Sequence, residues 1–397
     1  MGIVKLKDGI YSVGVLNPNL RVFDIIMETK YGTSYNAYLV CGKEKTALIE
    51  TVHEKFFDEY LENISQVTDP KKIDYVILNH TEPDHSGSLR KLLDVCPDIK
   101  IVASFAGAKC LKAITNTDID PVIAKDDLTI DLGGKVLKFI IAPLLHWPDS
   151  MFTYIEEDQI LFPCDFLGAH YCEPRMIDKY MLYKENYDYS FKYYYDCIFG
   201  PFKQAVLDGL DKIRDLKIDM VAPSHGPVLV ERIQQNMDLY RQWSETILHK
   251  NNPKKVAIIY VSAYRCTEML AEAAYDELIK AGFDAKLYNL VDNPVDVKPI
   301  IEEADAFMLG SPTINRDALK PIWDAISVTD AIINKGKPVG VFGSYGWSGE
   351  AVPMLVERLK ALKLKPLEPG FRANLVPSND ELDKMRQYTR EFIKTIS

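Results

Sequence analysis

The chain has 397 residues, of which 47% are hydrophobic and 26% charged, an ordinary composition for a globular protein. At this length, two or three domains with their own hydrophobic cores are expected. The net charge of −10 argues against nucleic acid as a partner, and no apolar run reaches the roughly 20 residues needed to cross a membrane. Residues 1–5 lack the apolar stretch of a signal peptide, which predicts a cytoplasmic protein.

Seven cysteines are scattered along the chain, and none has the C-x-x-C spacing of a zinc ribbon or a rubredoxin-type iron site. A dispersed, odd set is typical of small core residues in a reducing compartment. The sequence therefore excludes a rubredoxin-like centre within this chain and argues against an iron–sulfur cluster.

The most informative segment is His80-Thr-Glu82-Pro-Asp84-His85, which places four potential metal ligands within six residues. It follows, after one residue, the apolar run Ile73–Leu78, which predicts a buried strand. In an extended loop, side chains two residues apart lie on the same side, so His80, Glu82 and Asp84 share one side and His85 reaches a second position. The spacing predicts two metal ions rather than one.

Three further apolar runs lead to residues that can bind a metal. They are Leu137–Leu145 before His146, Ile160–Pro163 before Cys164-Asp165, and Ile218–Pro223 before Ser224-His225-Gly226. Open sheets bind ligands beyond the carboxyl ends of their strands, so the four ends are expected to converge. A single histidine after a strand is more often a hydrogen-bonded loop residue, but four matching placements favour ligation. The candidate ligands are His80, Glu82, Asp84, His85, His146, Asp165 and His225.

The other histidines, Cys164 and a group of tyrosines are not assigned as metal ligands. His53 and His249 have polar surroundings, which predicts a surface position, and Cys164 is predicted to lie in the core. His170 is left open between a position just outside the ligands, a substrate pocket and plain packing. Most of a group of tyrosines are expected to pack, although some could line a pocket: Tyr187, Tyr189, Tyr193, Tyr194 and Tyr195.

After Asn251–Lys255 the chain alternates strands with amphipathic helices, which predicts a doubly wound parallel sheet. The polar, proline-containing join predicts a domain boundary. The predicted strands are Val256–Val261, Ala285–Leu290, Ala306–Leu309, Pro338–Phe342 and one near Arg372–Val376. The predicted helices are Glu268–Ala281, Val297–Ala304, Leu319–Ile333, Ala351–Leu362 and a last helix that ends at Ile396.

Three strand ends in this second half have the features of a cofactor site. Hydroxyls and backbone N–H groups before the first helix suit a phosphate, and small residues after the other strands permit close approach of a ligand. Tyr345 or Trp347 can lie against a flat ring, unless Trp347 only packs in its loop. No G-x-G-x-x-G occurs, so a tightly held nicotinamide is not supported. The candidate contacts are Ser262, Tyr264, Cys266, Thr267, Pro312, Thr313, Asn315, Ser344, Tyr345, Gly346, Trp347 and Gly349.

The first half resembles the metallo-β-lactamase fold, whose hydrolases carry H-x-H-x-D-H where this chain has Glu82 in place of the middle histidine. With that change and the second half, the sequence resembles the flavodiiron proteins over essentially its full length. Further motifs that carry the resemblance are His146-Trp-Pro-Asp-Ser-Met and Ser224-His-Gly-Pro. The loop Ser262–Thr267 resembles the FMN phosphate loop of flavodoxins, except that Arg265 stands where glycine is usual.

The resemblance implies a metallo-β-lactamase-like αββα sandwich with two iron ions in residues 1–250. It implies a flavodoxin-like FMN domain in residues 254–397. The implied ligands are His80, Glu82 and His146 for the first iron, Asp84, His85 and His225 for the second, and Asp165 as the bridge. Three carboxylates suit this assignment, because anionic oxygen ligands favour iron over zinc and ferric over ferrous iron.

The activity that the resemblance implies is reduction of O2 to water or of NO to N2O. Electrons would come through FMN from a separate rubredoxin, a reduced deazaflavin or another reductase. A head-to-tail homodimer, or a dimer of dimers, would bring one subunit's FMN to the other's irons. Two other functions stay open: a metal-dependent hydrolase with a flavodoxin-like appendage, and an electron carrier in which the metal half is only a scaffold.

Overall fold

The computed structural model describes residues 3–24, 26–248, 250–291 and 295–396. The chain divides into two compact units, Met1–Leu248 and His249–Ser397. The predicted boundary at Asn251–Lys255 lies beside this division, and the assignment of one cofactor domain to residues 1–250 and the other to 254–397 stays a prediction. Among the described helices, none combines the length and apolar character that a membrane crossing requires.

The first unit contains two large sheets and flanking helices. Its strands are β1 (Val4–Lys7), β2 (Ile10–Ser12), β3 (Val15–Asn17), β4 (Val22–Phe23), β5 (Met27–Glu28), β6 (Thr33–Tyr35), β7 (Tyr38–Cys41), β8 (Thr46–Ile49), β9 (Tyr75–Leu78), β10 (Lys100–Ser104), β11 (Val122–Ala124), β12 (Thr129–Asp131), β13 (Val136–Ile141), β14 (Met151–Ile155), β15 (Ile160–Phe162) and β16 (Met220–Val221). Its helices are α1 (Phe57–Ser65), α2 (Pro83–Ser86), α3 (Leu89–Val95), α4 (Phe105–Thr115), α5 (Lys184–Tyr194), α6 (Lys203–Ile213) and α7 (Ile233–Ser244).

The two large sheets are a seven-stranded sheet in the order β1-β2-β7-β8-β9-β10-β11 and a five-stranded sheet in the order β12-β13-β14-β15-β16. They share a core, in which Ile77 of the first sheet packs with Phe139 and Phe162 of the second. Val76 and Leu78 point the other way, into the core that includes the helices, as the alternation of a strand requires. Helices therefore cover the outer faces, and the unit is the αββα sandwich that the sequence predicted.

The second unit is a parallel sheet flanked by helices. Its strands are β17 (Lys255–Tyr260), β18 (Asp284–Asn289), β19 (Ala306–Gly310), β20 (Pro338–Tyr345), β21 (Lys365–Pro366) and β22 (Phe371–Asn374). Its helices are α8 (Cys266–Lys280), α9 (Val297–Glu303), α10 (Lys320–Ser327), α11 (Ala351–Ala361) and α12 (Asn379–Lys394). The strand order is β18-β17-β19-β20-β21, with β22 also paired to β20. This is the flavodoxin-like order, which has its switch point between β17 and β19.

Two predicted elements of this unit have different limits in the structure. The helix predicted for Leu319–Ile333 ends at Ser327, because the side chain of Asp330 accepts hydrogen bonds from the N–H groups of Ile332 and Ile333, at 2.7 and 2.9 Å, and forms a turn. The strand predicted for Pro338–Phe342 continues to Tyr345, because it gains β22 as a second parallel neighbour.

Candidate metal centre and flavin site

The predicted metal ligands follow strands of two different sheets, not of one open sheet as the sequence argument assumed. The strand before His80 is β9 of the seven-stranded sheet, whereas those before His146, Asp165 and His225 belong to the five-stranded sheet. Because the two sheets share a core, their strand ends can still meet, and the distances between the side chains show that they do.

The segment from His80 to His85 had been predicted to be extended throughout, but the structure shows that it is not. Pro83–Ser86 form the single helical turn α2, with Glu82 at its N-cap. Proline is favoured at the first position of a helix, so Pro83 gives this turn a physical cause. His80 and Glu82 stay together, while the turn carries Asp84 and His85 into a second group.

The first group contains His80, Glu82, His146 and Asp165, with one ligand atom of each within 4.8 Å of the others. Nε2 of His80 lies 3.0 Å from Oε2 of Glu82 and 3.8 Å from Oδ2 of Asp165. Nε2 of His146 lies 3.4 and 3.3 Å from the same two oxygens. Two imidazoles and two carboxylates thus surround one small volume.

The second group contains Asp84, His85 and His225. Oδ2 of Asp84 lies 3.2 Å from Nε2 of His85 and 3.0 Å from Nε2 of His225. Oδ1 of Asp165 lies 3.1 and 3.4 Å from the same two nitrogens. Asp165 therefore presents Oδ2 to the first group and Oδ1 to the second, which is the geometry of a bridging carboxylate.

The donor atoms of the second group fit a cation better than they fit one another. Three buried atoms, namely both carboxylate oxygens of Asp84 and Nε2 of His85, have no aligned hydrogen-bond partner within the described part of the chain. Their contacts are nevertheless only 3.0 to 3.2 Å long. Buried polar atoms in proteins are normally satisfied, so this convergence is what metal ligation would explain.

The electrostatics of the metal-free protein lead to the same conclusion. Burial opposes a charge on His85, but Asp165 and Asp84 outweigh it and raise the pKa of His85 to about 10. Burial likewise opposes a charge on Asp84, but His85 and His225 lower the pKa of Asp84 to about 2. Protons on histidine thus balance the carboxylates here, and a metal ion would take their place.

Neighbouring groups fix the orientation of two candidate ligands. Nδ1 of His80 lies 3.0 Å from Oδ1 of Asp149, whose other oxygen accepts hydrogen bonds from the N–H and hydroxyl of Thr81 at 2.7 and 2.5 Å. Nδ1 of His225 donates to the carbonyl oxygen of Ser34 at 2.6 Å. In both rings Nε2 is then free to bind a metal. The sequence argument missed Asp149, although it lies three residues after His146.

His170 lies beside the second ligand group. Its Nδ1 lies 2.9 Å from the hydroxyl of Thr33, and its ring packs 4.8 Å from the ring of His225 and 4.8 Å from that of Tyr194. It belongs to neither ligand group among the described residues. Burial and the charge of His225 hold the pKa of His170 well below its ordinary value, so its ring is neutral.

Three of the five tyrosines line a small cavity, whereas most of them had been expected to pack. Tyr194 reaches the metal centre, where its phenol donates to Oδ1 of Asp165 at 3.0 Å. Tyr189 and Tyr193 join Tyr194 and His170 around a cavity of about 10 Å³, which is room for a single water molecule. Core tyrosines instead bond to polar partners, as Tyr187 does to Asn236 and Tyr195 to Ser244, each at 2.7 Å.

Three single residues had been assigned to the surface or the core. His53 is exposed, as predicted, and His249 lies outside the described residues. Cys164 is buried, as predicted. A carboxylate that the sequence argument did not identify, Glu50, is also buried, and its ligand atom lies within 4.8 Å of those of His85 and Cys164.

The predicted flavin contacts lie at one edge of the second sheet. They occupy the loop after β17 and the start of α8, the loop after β19, and the end of β20 with the loop that follows it; β17, β19 and β20 are successive strands of the sheet. The hydroxyls of Thr267 and Ser344 are 2.9 Å apart, and the N–H of Thr313 bonds to the carbonyl of Ser344 at 2.8 Å. A Cβ at Gly343 would lie 2.1 Å from a backbone oxygen of Ser311, so only glycine permits this close packing.

Two aromatic side chains at this edge are almost fully exposed. Tyr264 is 86% exposed and Trp347 is 101% exposed. The alternative that Trp347 only packs in its loop is therefore wrong. Flat, uncovered rings beside a helix N-terminus are suited to an aromatic cofactor that carries a phosphate.

Comparison with known proteins identifies the family. The ODP family beta lactamase model matches residues 33–226, and the flavodoxin model matches residues 258–388. The flavo-diiron protein FprA2 of Clostridium acetobutylicum is 52% identical over 403 aligned positions, covering 100% of both chains. The chain belongs to the flavodiiron protein family.

Other relatives and solved structures agree with this assignment. A nitric oxide reductase of Moorella thermoacetica is 36% identical and covers 99% of both chains. The flavodiiron protein of Giardia intestinalis matches with a TM-score of 0.67 at 27% identity, covering 100% of this chain and 98% of the other. The rubredoxin oxygen:oxidoreductase of Desulfovibrio gigas matches with a TM-score of 0.67 at 26% identity and 100% coverage of both. As a flavodiiron protein the chain is an oxidoreductase that uses FMN and two iron ions, which confirms the predicted resemblance, fold class, reaction class and cofactors.

Proposed function

We propose that this flavodiiron protein reduces O2 to water or NO to N2O, with FMN passing electrons from an external donor to a pair of iron ions. The observation that carries this proposal is the position of Asp165 between two groups of imidazoles and carboxylates. Its Oδ2 lies 3.3 Å from His146, and its Oδ1 lies 3.1 Å from His85. One carboxylate in reach of both groups supports a paired centre rather than two separate metal sites.

In this proposal each iron has three ligands of its own. His80, Glu82 and His146 would hold the first iron, Asp84, His85 and His225 would hold the second, and Asp165 would bridge them. The arrangement into two groups supports this division. When bound, the irons bind the diatomic substrate and reduce it with the electrons that FMN collects.

The ligand set favours iron over zinc. Three of the seven ligands are carboxylates, Glu82, Asp84 and Asp165, and hard anionic oxygens stabilise ferric iron. A hydrolase of the same fold has a histidine in place of Glu82 and therefore less negative charge. This difference supports a redox centre and counts against the hydrolase alternative.

The protein's own contribution is orientation and exclusion of water. Asp149 and the Ser34 carbonyl fix the rings of His80 and His225 with Nε2 free. The ligands are buried or nearly so, since the side chains of Glu82 and His146 are only 16% and 13% exposed. A site of this kind strengthens its electrostatic interactions by keeping bulk water out.

For FMN, we propose that the phosphate lies at the N-terminus of α8, near Ser262 and Thr267. The ring would lie at the ends of β19 and β20, where Tyr264 and Trp347 are uncovered. At Gly343 the β20 backbone packs so closely on Ser311 that a side chain there would displace the strand end on which the ring is proposed to lie.

The electron donor and the assembly are also part of the proposal. We propose a separate rubredoxin, a reduced deazaflavin or another reductase as donor, and a cytoplasmic head-to-tail homodimer or dimer of dimers in which one subunit's FMN serves the other's irons. Dilution to monomers should then abolish turnover while each cofactor stays bound. Turnover per subunit that is unchanged in a verified monomer would contradict the dimer.

The deciding experiment is parallel measurement of O2 and NO consumption by anaerobically reduced protein, with iron and FMN quantified on the same sample. Two irons and one FMN are expected per subunit. The reduced protein is expected to consume at least one of the two gases. Protein that contains zinc and cleaves an ester or lactam regardless of reduction would point to the hydrolase. Flavin that cycles without gas consumption would point to an electron carrier.

A further inference from the structure

Arg265 occupies a backbone position that is unfavourable for its side chain. It is the N-cap of α8, with φ 63° and ψ −6°, which is the left-handed conformation. Glycine adopts this conformation without penalty, whereas a residue with a Cβ does so at a cost. The resemblance to flavodoxin loops places glycine here as well, so this chain retains an arginine where the backbone does not favour one. A functional role for the side chain would explain this.

The guanidinium group of Arg265 lies on the surface beside two acidic residues of the same helix. Its Nε is 3.0 Å from Oε2 of Glu268, and one of its terminal nitrogens is 3.8 Å from Oε1 of Glu272. The arginine side chain is 74% exposed. Exposed ion pairs of this kind are weak, so the guanidinium can exchange these partners for a stronger one at little cost.

The same end of α8 offers backbone donors to an anion. The helix has 15 residues and begins at Cys266, and the first N–H groups of a helix have no partner within it. The N–H of Glu268 bonds to the hydroxyl of Ser262 at 3.3 Å, which holds the loop against the helix. The partial positive charge of a helix N-terminus favours a phosphate.

Glu268 and Glu272 act against such an anion. Without Arg265 the first two turns of α8 would present two carboxylates to a phosphate dianion, and both charges would repel it. With Arg265 one of these charges is neutralised, and a planar group that matches a phosphate becomes available. The arginine therefore reduces the repulsion of the phosphate and adds a donor group that can bind it.

We propose that Arg265 is a specificity-determining residue, which binds the phosphate of FMN and so makes the site select FMN over riboflavin. The two flavins share the isoalloxazine ring and differ in that phosphate. This inference rests on the proposed function in one respect, namely that a flavin occupies the loops after β17, β19 and β20.

The test is an equilibrium titration of the flavin-free full-length protein with FMN and, separately, with riboflavin, followed by quenching of flavin fluorescence. Arg265→Gly relieves the backbone and removes the charge, so the FMN affinity should fall about ten- to a hundredfold, the range for hydrogen bonds to charged groups. The riboflavin affinity should stay the same. Arg265→Lys should recover part of the loss, because it keeps the charge without the planar fork.

Arg316→Gly provides a matched control. Arg316 also has a left-handed backbone, with φ 62°, and its Nε also pairs with a glutamate, Glu350, at 3.0 Å. It lies in the loop after β19 and not in the loop that leads into α8. This variant should leave the ratio of FMN to riboflavin affinity unchanged.

The outcomes separate this inference from the proposed function. If the unaltered protein binds neither flavin, the proposed flavin site itself is wrong. If it binds FMN but Arg265→Gly weakens both flavins equally, or neither, the specificity role of Arg265 is overturned. Thermal unfolding of the flavin-free variants checks folding, and Arg265→Gly should be at least as stable as the unaltered protein.

Discussion

The phenol of Tyr194 donates a hydrogen bond of 3.0 Å to Oδ1 of Asp165, and both side chains are buried. The same oxygen lies 3.1 Å from Nε2 of His85. Burial, followed by the negative charge of Asp165, raises the pKa of Tyr194 well above its ordinary value, so the phenol stays protonated and acts as a donor. Tyr194 thus holds the carboxylate of Asp165 on the side of the second ligand group.

Tyr194→Phe should therefore destabilise the metal-free protein more than the iron-loaded protein. In the metal-free form, Asp165 loses a hydrogen bond to a charged group, which is worth about 1.5–3 kcal/mol. In the loaded form two cations satisfy the same carboxylate, so the loss should be smaller. Urea unfolding of both forms measures the difference. Tyr195→Phe is the control. The phenol of Tyr195 bonds to Ser244, so its removal should lower the free energy of unfolding equally in both forms. An equal cost of Tyr194→Phe in both forms would contradict the proposed role of Asp165.

Glu82→His tests the charge argument for iron. The change removes one of three carboxylates and restores the histidine pattern of hydrolases, so the metal content should shift toward zinc and O2 reduction should be lost. FMN binding should persist, because the flavin loops lie in the other unit. Metal analysis and flavin absorbance on one sample measure both outcomes. A variant that keeps two irons and full activity would show that the negative charge of Glu82 does not select the metal.

Asp165→Ala and Cys164→Ala form a matched pair of neighbours. The first removes the carboxylate that faces both ligand groups, so at least one metal ion per subunit should be lost. The second removes a buried thiol that accepts a hydrogen bond from Ser224 at 3.4 Å, and it should keep both metals at a cost to stability of about 1 kcal/mol, typical of a core substitution. Metal content by elemental analysis decides between them. Loss of metal from Cys164→Ala would mean that the thiol belongs to the centre.

The convergence of the candidate ligands could be predicted because the segments that carry them follow apolar strands, a pattern that favours a site at strand ends. The sequence did not reveal that those strands belong to two sheets, since the pairing of distant strands leaves no local signal. The helical turn at Pro83 could have been predicted, because proline is favoured at the first position of a helix. The alternation of His80, Glu82 and Asp84 also suits an extended loop, which is the conformation that was predicted.

The groups that orient the ligands were harder to predict. Asp149 lies within a quoted motif, and a carboxylate near a histidine ligand is a usable signal. The carbonyl of Ser34 is a backbone group, so the identity of the residue does not indicate that it orients His225. Tyr194 was one of five tyrosines in a short stretch, and only the helix geometry of α5 selects it over its neighbour Tyr195. Such contacts depend on tertiary packing, which residue spacing does not encode.

Glu50 gives a pH-dependent prediction for the metal-free protein. The residue is buried, and its Oε1 accepts a hydrogen bond from the N–H of Asn79 at 3.0 Å. Burial is the main cause that raises its pKa from 4.5 to about 8. The folded protein therefore holds a proton that the unfolded chain releases above pH 4.5. The resulting stabilisation relative to the ionised state is complete below pH 4.5 and is lost as the pH rises to about 8.

Glu50→Gln should remove this dependence, because the amide keeps an oxygen for Asn79 and cannot ionise. The free energy of unfolding of the unaltered protein should fall relative to the variant by about 1.4 kcal/mol for each pH unit within this window. Urea unfolding of both metal-free proteins at several pH values from 5 to 8 measures the difference, since groups that do not interact with Glu50 contribute equally to both. Two parallel stability curves would mean that Glu50 ionises normally in the folded protein, and the physical reason would then be water or a cation reaching its free oxygen.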